Sequence, residues 1–359
     1  MLMSSADTIF ALATSPGKSG VAIIRLSGAR ALTALKHITG QDVFAPRHAY
    51  FTTFRTSNGV IDTGLALYFK GPHSFTGEDV VECHIHGSLA VIRELLETLG
   101  AVSGLRPADP GEFTRRAFIN GKMDLIEAEG LADLIDSETS QQKSQAMRQM
   151  QGALSGYYDN LREHITRCLA LLEAYIDFPD EEIPDSVLHA LEDDIKALEA
   201  NIATALDDQQ RGERLRDGIT VVILGAPNVG KSSLLNAIAK RDVAIVSYKA
   251  GTTRDAIEIH LDMAGYPVVL VDTAGLRESD EEIELEGIRR ALARAESADI
   301  KLVLFDGAGW PGKDAGSEAL IDAQSLVVVT KSDLLGAVTR DPGALYISTR
   351  TGEGVDALP

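Results

Sequence analysis

The chain has 359 residues, with 53 Asp and Glu against 34 Lys and Arg and a formal net charge of −19, which leaves room for two or three domains with buried cores. So acidic a surface repels phosphate backbones, so tight unaided binding to nucleic acid is not expected, and any RNA would be held mainly by a more basic partner. No run of 18 or more apolar residues occurs, so no membrane-crossing helix is predicted.

The start, MLMSSADTIF, lacks the basic and apolar segments of a signal peptide. Cys83 and Cys168 give no disulfide framework, and both features predict a reducing, cytoplasmic setting. Residues 1–122 mix short strands and helices, with turn signals at SPGKSG, TSNGV, KGPHSFTGED and RPADPGEF. TIFALAT and the strand GVAIIRL flank SPGKSG, which contains Gly-Lys-Ser. Leu12 occupies the position where a phosphate loop needs its first glycine, so this stretch is a turn. VIDTGLALYFKG and EDVVECHIHG are expected strands, and SLAVIRELLETLG a helix ended by Gly100. Glu82, Cys83, His84 and His86 resemble metal ligands. In a strand, however, Cys83 faces away from the other three and no fourth ligand is near, which argues against zinc.

Residues 123–215 are helical and acidic, with 22 Asp and Glu against 8 Lys and Arg between Met123 and Asp217. Leu154, Tyr158, Leu161, Ile165, Cys168, Leu172 and Tyr175 recur at helical spacing. DFPDEEIPDS breaks the pattern at Pro179 and Pro184. Leu188, Leu191, Ile195, Leu198 and Ile202 then resume it. Bundle core is the simplest reading of both stripes.

Residues 216–359 alternate strands and helices. ITVVILG, IEIHLDM, PVVLVDTAG, DIKLVLFDG, SLVVVTKSD and ALYISTRTG supply six strands, the second and third joined by the hairpin AGY. A mostly parallel sheet with one antiparallel edge strand is expected. Within VVILGAPNVGKSSLLNAIAK, the spacing Gly225-x4-Gly230-Lys231-Ser232 is that of a P-loop. A backbone curled through Asn228, Val229, Gly230, Lys231, Ser232 and Ser233 can cradle phosphates. Lys231 can reach the β- and γ-phosphates, and the Ser232 hydroxyl can ligate Mg²⁺.

Asp272, at the end of an apolar strand and followed by Thr273, Ala274 and Gly275, can hold the Mg²⁺ shell, while the Gly275 N–H can sense the γ-phosphate. Before it, in AGTTRD, Thr252 or Thr253 can close over the metal. In Thr330-Lys331-Ser332-Asp333, the Asp333 carboxylate can accept two hydrogen bonds from guanine that adenine cannot offer, which selects GTP over ATP. Ser348, Thr349 and Arg350 can supply a backbone contact to the guanine oxygen. Leu276 follows Asp-Thr-Ala-Gly, where Ras-like enzymes carry a water-orienting glutamine, so hydrolysis must recruit another group. Glu284, in ESDEEIELEG, is the candidate. A solvated helix start is its alternative reading.

Taken with PGxxGVAIIRLSG (Pro16 to Gly28), GPHSFTGEDVVE, PGEFTRRAFINGKMDLIEAEGLADLID, FPDEEI, GAPNVGKSSLLNAI, AGTTRD and DTAGLRE, the whole chain resembles the MnmE (TrmE) family of tRNA-modification GTPases. Ribosome-assembly GTPases share the PNVGKS loop but not FTGED or GEFTRRAFINGK. The fold class is then α/β and α: an N-terminal α+β folate-binding and dimerisation domain (1–122), the first part of a helical bundle domain (123–215) and a Ras-like P-loop G domain with a mixed, mostly parallel sheet (216–359).

The resemblance further implies a homodimer and an FAD-containing MnmG-type partner in a heterotetramer that carries most of the tRNA contact. The reaction it implies is C5 modification of the wobble uridine with a carboxymethylaminomethyl-type group. It also implies a 5-formyl- or 5,10-methylene-tetrahydrofolate held by Arg25, Glu82 and Lys122. Potassium would be ligated by Asn228 with the backbone carbonyls of Ser247 and Lys249 and with Thr252, Mg²⁺ by Ser232 and Thr253, and Glu284 is the matching hydrolytic residue. Thr330 departs from the usual Asn, and Ser88 from a common glycine. The chain also stops before the family's second helical segment and its Cys-containing motif. A ribosome-assembly type of GTPase switch, which has no reason to bind folate, and a truncated GTPase that cannot support tRNA modification remain the alternatives.

Overall fold

The computed structural model describes residues 7–57, 59–177, 185–207, 211–239, 244–249, 257–272, 298–335 and 340–355. The chain divides into two compact units, Met1–Glu129 and Gly130–Pro359.

In the first unit, strands β1 (Thr8–Leu12), β2 (Ser19–Ser27), β3 (Ala49–Thr56), β4 (Gly59–Phe69), β5 (Val80–Gly87) and β6 (Leu105–Pro107) form one sheet in the order β3-β4-β5-β2-β1-β6. Every pair is antiparallel except β1 with β6. SPGKSG is the turn between the antiparallel β1 and β2. Helices α1 (Ala31–Thr39) and α2 (Leu89–Gly100) bury Leu35, Ile38, Leu95 and Leu99 in one core with Ile24, Leu26, Phe54 and Cys83. Period-two alternation explains the choice of face: Ala22, Ile24 and Leu26 on β2 point inward, so Arg25 between them points out. Helix α3 (Glu112–Ile119) follows β6, and α4 (Leu125–Asp136) crosses the boundary between the units.

The second unit opens with helices. Helix α5 (Ser140–Met150) starts on a capping box between Thr139 and Gln142. Helices α6 (Ala153–Asp177) and α7 (Asp185–Leu206) pack on each other, and α8 (Arg211–Asp217) leads into the sheet. Of the apolar stripes, Leu161 and Leu191 are buried, whereas Tyr158, Ile165, Leu172 and Ile195 stay about half exposed. Two helices cover each other only along their line of contact, so each leaves most of the other's stripe uncovered.

The seven-stranded sheet runs β13-β12-β11-β7-β10-β9-β8, from β7 (Ile219–Gly225), β8 (Ala244–Lys249), β9 (Ile257–Met263), β10 (Tyr266–Asp272), β11 (Ile300–Asp306), β12 (Ser325–Thr330) and β13 (Ala344–Tyr346). The six expected strands are present, and a seventh, β8, joins them. It pairs antiparallel with β9 through a register shift between Ile245 and Ser247. The antiparallel strand β9 is therefore covered on both sides, and β8 takes the edge. β9 and β10 meet through Ala264 and Gly265, both at positive φ, as a two-residue hairpin turn requires. Gln141 at the start of α5 donates to the Gly265 carbonyl at 3.2 Å, and Arg214 pairs with Asp299 at 2.8 Å. Helices and sheet are thus bonded within this unit. Among the described residues, no helix is long and apolar enough to cross a membrane.

Candidate nucleotide site and a second polar cluster

Strand β7 is central in its sheet, with Val222 and Ile223 fully buried. It ends at Gly225, where an added Cβ would lie 2.7 Å from the Leu304 carbonyl oxygen on β11, so only glycine fits. The chain then curls through Ala226–Gly230 into helix α9 (Lys231–Ala239). Asn228 adopts φ 59°, a left-handed conformation that costs a non-glycine residue on the order of 1 kcal/mol. The Lys231 ammonium folds into this curl and donates to the carbonyls of Gly225 (2.6 Å) and Ala226 (3.0 Å). Ser232 and Ser233 stand exposed in the first turn of α9, where free N–H groups and the helix dipole favour an anion.

The parallel strands bring their carboxyl ends to the same edge as this loop: Gly225 is registered with Leu304, Ile223 with Asp272, and Asp306 with Thr330. The buried Thr330 hydroxyl lies 2.6 Å from the Val229 carbonyl and 3.1 Å from that of Phe305. Lys331, at φ 51°, donates to the Asn228 carbonyl at 3.1 Å and to Asp306 at 2.6 Å. Burial opposes ionisation of Asp306, but the Lys331 ammonium and the Ala308 N–H outweigh it and hold the carboxyl below its usual range. Asp333 sits in a 3₁₀ turn, Ser332–Leu334, and its Oδ1 accepts from the buried Ser348 hydroxyl at 2.7 Å. Thr349 and Arg350 are exposed beside it, with an Arg350 nitrogen 3.7 Å from Asp333 Oδ2. The structure thus gathers Asn228, Val229, Gly230, Lys231, Thr330, Lys331, Asp333 and Ser348 at one edge of the sheet. A curled donor-rich loop with a rigid carboxylate acceptor nearby can bind a phosphorylated compound whose base presents two adjacent N–H donors.

Ser247 and Lys249 lie on β8 and Asp272 ends β10. Thr252, Thr253, Thr273, Ala274, Gly275, Leu276 and Glu284 fall outside the described residues.

A second cluster lies in the first unit. Arg25 and Glu82 are registered neighbours on β2 and β5, and both Arg25 Nε (3.0 Å) and Nη2 (2.9 Å) reach Glu82 Oε1. Phe75 and Phe113 flank the guanidinium, with ring centroids 5.4 and 5.8 Å away. Lys122 packs against the loop that carries Phe75: at Gly77, φ 77°, an added Cβ would come within 3.2 Å of the Lys122 side chain. Asn120 donates to the Thr76 carbonyl of the same loop at 2.7 Å. Arg25 and Glu82 are therefore in direct contact, and Lys122 joins them through the loop between Gly71 and Asp79. As for the metal-like residues, His84 pairs with Glu82 at 3.4 Å, His86 with Asp62 at 2.9 Å, and Cys83 points into the core. Burial raises the Cys83 thiol pKa to about 12, so it stays protonated.

Beneath this cluster is a network that the sequence does not announce. The buried Arg116 bonds to Glu78 (3.0 Å), Glu112 (3.0 Å) and Asp7 (3.1 Å), and Arg106 clamps Glu112 with two bonds of 2.6 and 2.8 Å. Glu78 also accepts from Ser27 at 2.7 Å, which ties the loop to β2. Glu78 lies in FTGED and Glu112 and Arg116 in GEFTRRAF, while Asp7, Ser27 and Arg106 come from elsewhere in the unit.

Two family models match the chain: the GTP-binding protein TrmE N-terminus over residues 8–122 and the MnmE helical domain over residues 125–359. The chain belongs to the MnmE (TrmE) family. The tRNA modification GTPase MnmE of Parvibaculum lavamentivorans is 55% identical over 354 residues, covering 98% of this chain and 80% of the relative. That of Paramagnetospirillum magneticum is 51% identical over 357 residues, covering 98% and 81%. The G domain of the T. maritima FeoB iron transporter aligns with 39% of this chain and 92% of its own at 22% identity. Its TM-score of 0.29 is too low to bear on the assignment.

The network makes a testable demand. Its hydrogen bonds from Arg106 are the chief reason that Glu112 titrates at about 2 instead of the usual 4.5. A carboxyl depressed in the folded state contributes its full stability above pH 4.5 and loses it as the pH falls toward about 2. Urea unfolding followed by circular dichroism should therefore show stability declining across that window. Glu112→Gln should flatten the decline and cost roughly 3 kcal/mol at pH 7, because it leaves two arginines short of a buried partner.

Proposed function

We propose that this chain binds GTP at the β7–α9 loop and hydrolyses it to drive modification of the wobble uridine of tRNA. Membership of the MnmE family supports a GTP-hydrolysing enzyme with a role in tRNA modification. The observation that carries the nucleotide reading is the shared edge of the sheet, where the phosphate loop and Asp333 stand together. In this reading the backbone of Asn228, Val229, Gly230, Lys231, Ser232 and Ser233 wraps the phosphates, and Lys231 exchanges its loop carbonyls for phosphate oxygens. Asp333 accepts from the guanine edge while Ser348 holds the carboxylate in place and Thr349 and Arg350 present backbone to the guanine oxygen. Asp272 holds the Mg²⁺ shell, Thr273 and Ala274 lead to the Gly275 N–H that senses the γ-phosphate, and Thr252 or Thr253 closes over the metal.

The donors fit hard cations, since hydroxyl, amide and carbonyl oxygens suit Mg²⁺ and K⁺. Ser232, exposed at the first turn of α9, and Thr253 would hold Mg²⁺. Asn228, exposed at the left-handed turn of the loop, would hold K⁺ with the backbone carbonyls of Ser247 and Lys249 and with Thr252. A bound cation supplies positive charge against the charge that develops on the phosphates. Glu284 orients the attacking water, the part that Leu276 cannot play.

The first unit supplies the one-carbon group. Aromatic rings beside an arginine–carboxylate pair suit a flat pterin, with Glu82 accepting from its ring N–H groups and Lys122 meeting the glutamate tail. The ligand is 5-formyl- or 5,10-methylene-tetrahydrofolate. The chain works as a homodimer in the cytoplasm with an FAD-containing, MnmG-type partner. That partner carries most of the tRNA contact, because a surface of net charge −19 repels it.

Calorimetry with 5-formyltetrahydrofolate tests the first unit. Binding should weaken about tenfold or more in Arg25→Ala, as the loss of a charge-assisted contact implies. Heat of binding absent from the parental chain would remove the folate assignment and favour a regulatory switch. GTP turnover at matched ionic strength tests the second unit. The rate should be well above the NaCl rate in KCl, and Asn228→Ala should abolish the difference. Glu284→Ala should slow turnover roughly a hundredfold with little change in GTP affinity. Equal rates in the two salts would sink the potassium mechanism.

A further inference from the structure

The left-handed turn at Asn228 is one that asparagine bears better than other side chains but not as freely as glycine, and contacts from outside the loop hold it. Its surroundings are two tethers from the end of β12. The first is Thr330, only 3% exposed, whose hydroxyl oxygen is 2.6 Å from the Val229 carbonyl oxygen and 3.1 Å from that of Phe305. The second is Lys331, which reaches the carbonyl of Asn228 and is itself anchored on Asp306. The carbonyls of two successive loop residues are thus both fastened to the strand that leads into Asp333.

A hydroxyl has one proton, and a carbonyl oxygen can only accept. Thr330 therefore commits its single donor to these two carbonyls, the shorter contact falling to Val229, and has no proton left for a nucleobase. The asparagine usual at this place carries two amide protons and could serve both purposes. The threonine serves one. Gly230 runs alongside, since a Cβ there would sit in ordinary contact with three atoms of the Thr330 side chain, the nearest at 3.8 Å.

We propose that Thr330 is a positioning residue that acts on the phosphates through Val229 and makes no contact with the base, which is left to Asp333. The proposal rests on the reading that a guanine nucleotide occupies this site. Loosening the tether lets the loop relax from the curl that aims its N–H groups. Affinity should then fall by the same factor for every nucleoside diphosphate, whatever its base.

The test is fluorescence titration of the full chain with GDP and IDP, which share their phosphates but differ in the exocyclic amine that faces Asp333. Thr330→Val, which keeps the shape and removes the hydroxyl, should raise both dissociation constants about tenfold and leave their ratio at the parental value. Thr330→Ser, which restores a hydroxyl, should return both to within about threefold of the parent, a rescue that mere filling of space does not predict. Should Thr330→Val fail to fold by circular dichroism, Thr330→Ala takes its place in the comparison. Parental affinity in the variant lacking the hydroxyl, equal weakening in Thr330→Ser, or a loss confined to GDP would each overturn the proposal. Asp333→Asn is the separate control. An unchanged GDP-to-IDP ratio there would count against guanine reading by Asp333 while the comparison at Thr330 still stands.

Discussion

The curl between β7 and α9 is the constraint on which this edge of the sheet depends. A buried central strand must hand its chain to a helix within a few residues and leave its N–H groups turned inward. Gly225 permits the close pass along β11, and Asn228 accepts a left-handed turn that glycine would make without steric cost. Such strain requires support from outside the loop. It comes from Thr330 and Lys331 at the end of a strand two places away in the sheet. The curled loop and the turn that carries Asp333 are consequently one mechanical piece.

The first unit solves a similar problem by other means. Its loop between Gly71 and Asp79 has little apolar surface to bury, so charge holds it. Glu78 is fastened to the buried Arg116 and to Ser27, and Asn120 fastens Thr76. That scaffold sets Phe75 over Arg25. The arginine–glutamate pair with aromatic neighbours is partly buried, and buried ion pairs underneath keep it in shape. Breaking such a pair costs far more than forming it gains, so the network makes the loop's position definite more than it makes the fold stable.

Much of this was legible in the residues. Gly225-x4-Gly230-Lys231-Ser232 names a curled loop because few other folds need two glycines and a lysine at that spacing after an apolar strand. Arg25, Glu82 and Lys122 were drawn from the family resemblance alone, and the register that sets Arg25 beside Glu82 is a property of the sheet. Strand β8 was not legible: AIVSYK is short, interrupted by a register shift, and defined by pairing with β9 that no local pattern encodes. The helical stripes of α6 and α7 told which faces are apolar but not what covers them, since periodicity is the same for a buried face and an exposed one. Thr330 appeared from the sequence only as a departure from asparagine. Its tether to Val229, 101 residues away, is a property of the fold.

The central claim is that one edge of the sheet joins a phosphate loop to a guanine-reading carboxylate. It is tested most directly by displacement of a fluorescent GDP analogue from the purified chain with unlabelled GTP, GDP and ATP. The account predicts that GTP and GDP displace the probe while ATP at a hundredfold excess leaves it bound, because adenine presents no pair of N–H donors to Asp333. Displacement by ATP at the same concentration as GTP would contradict it.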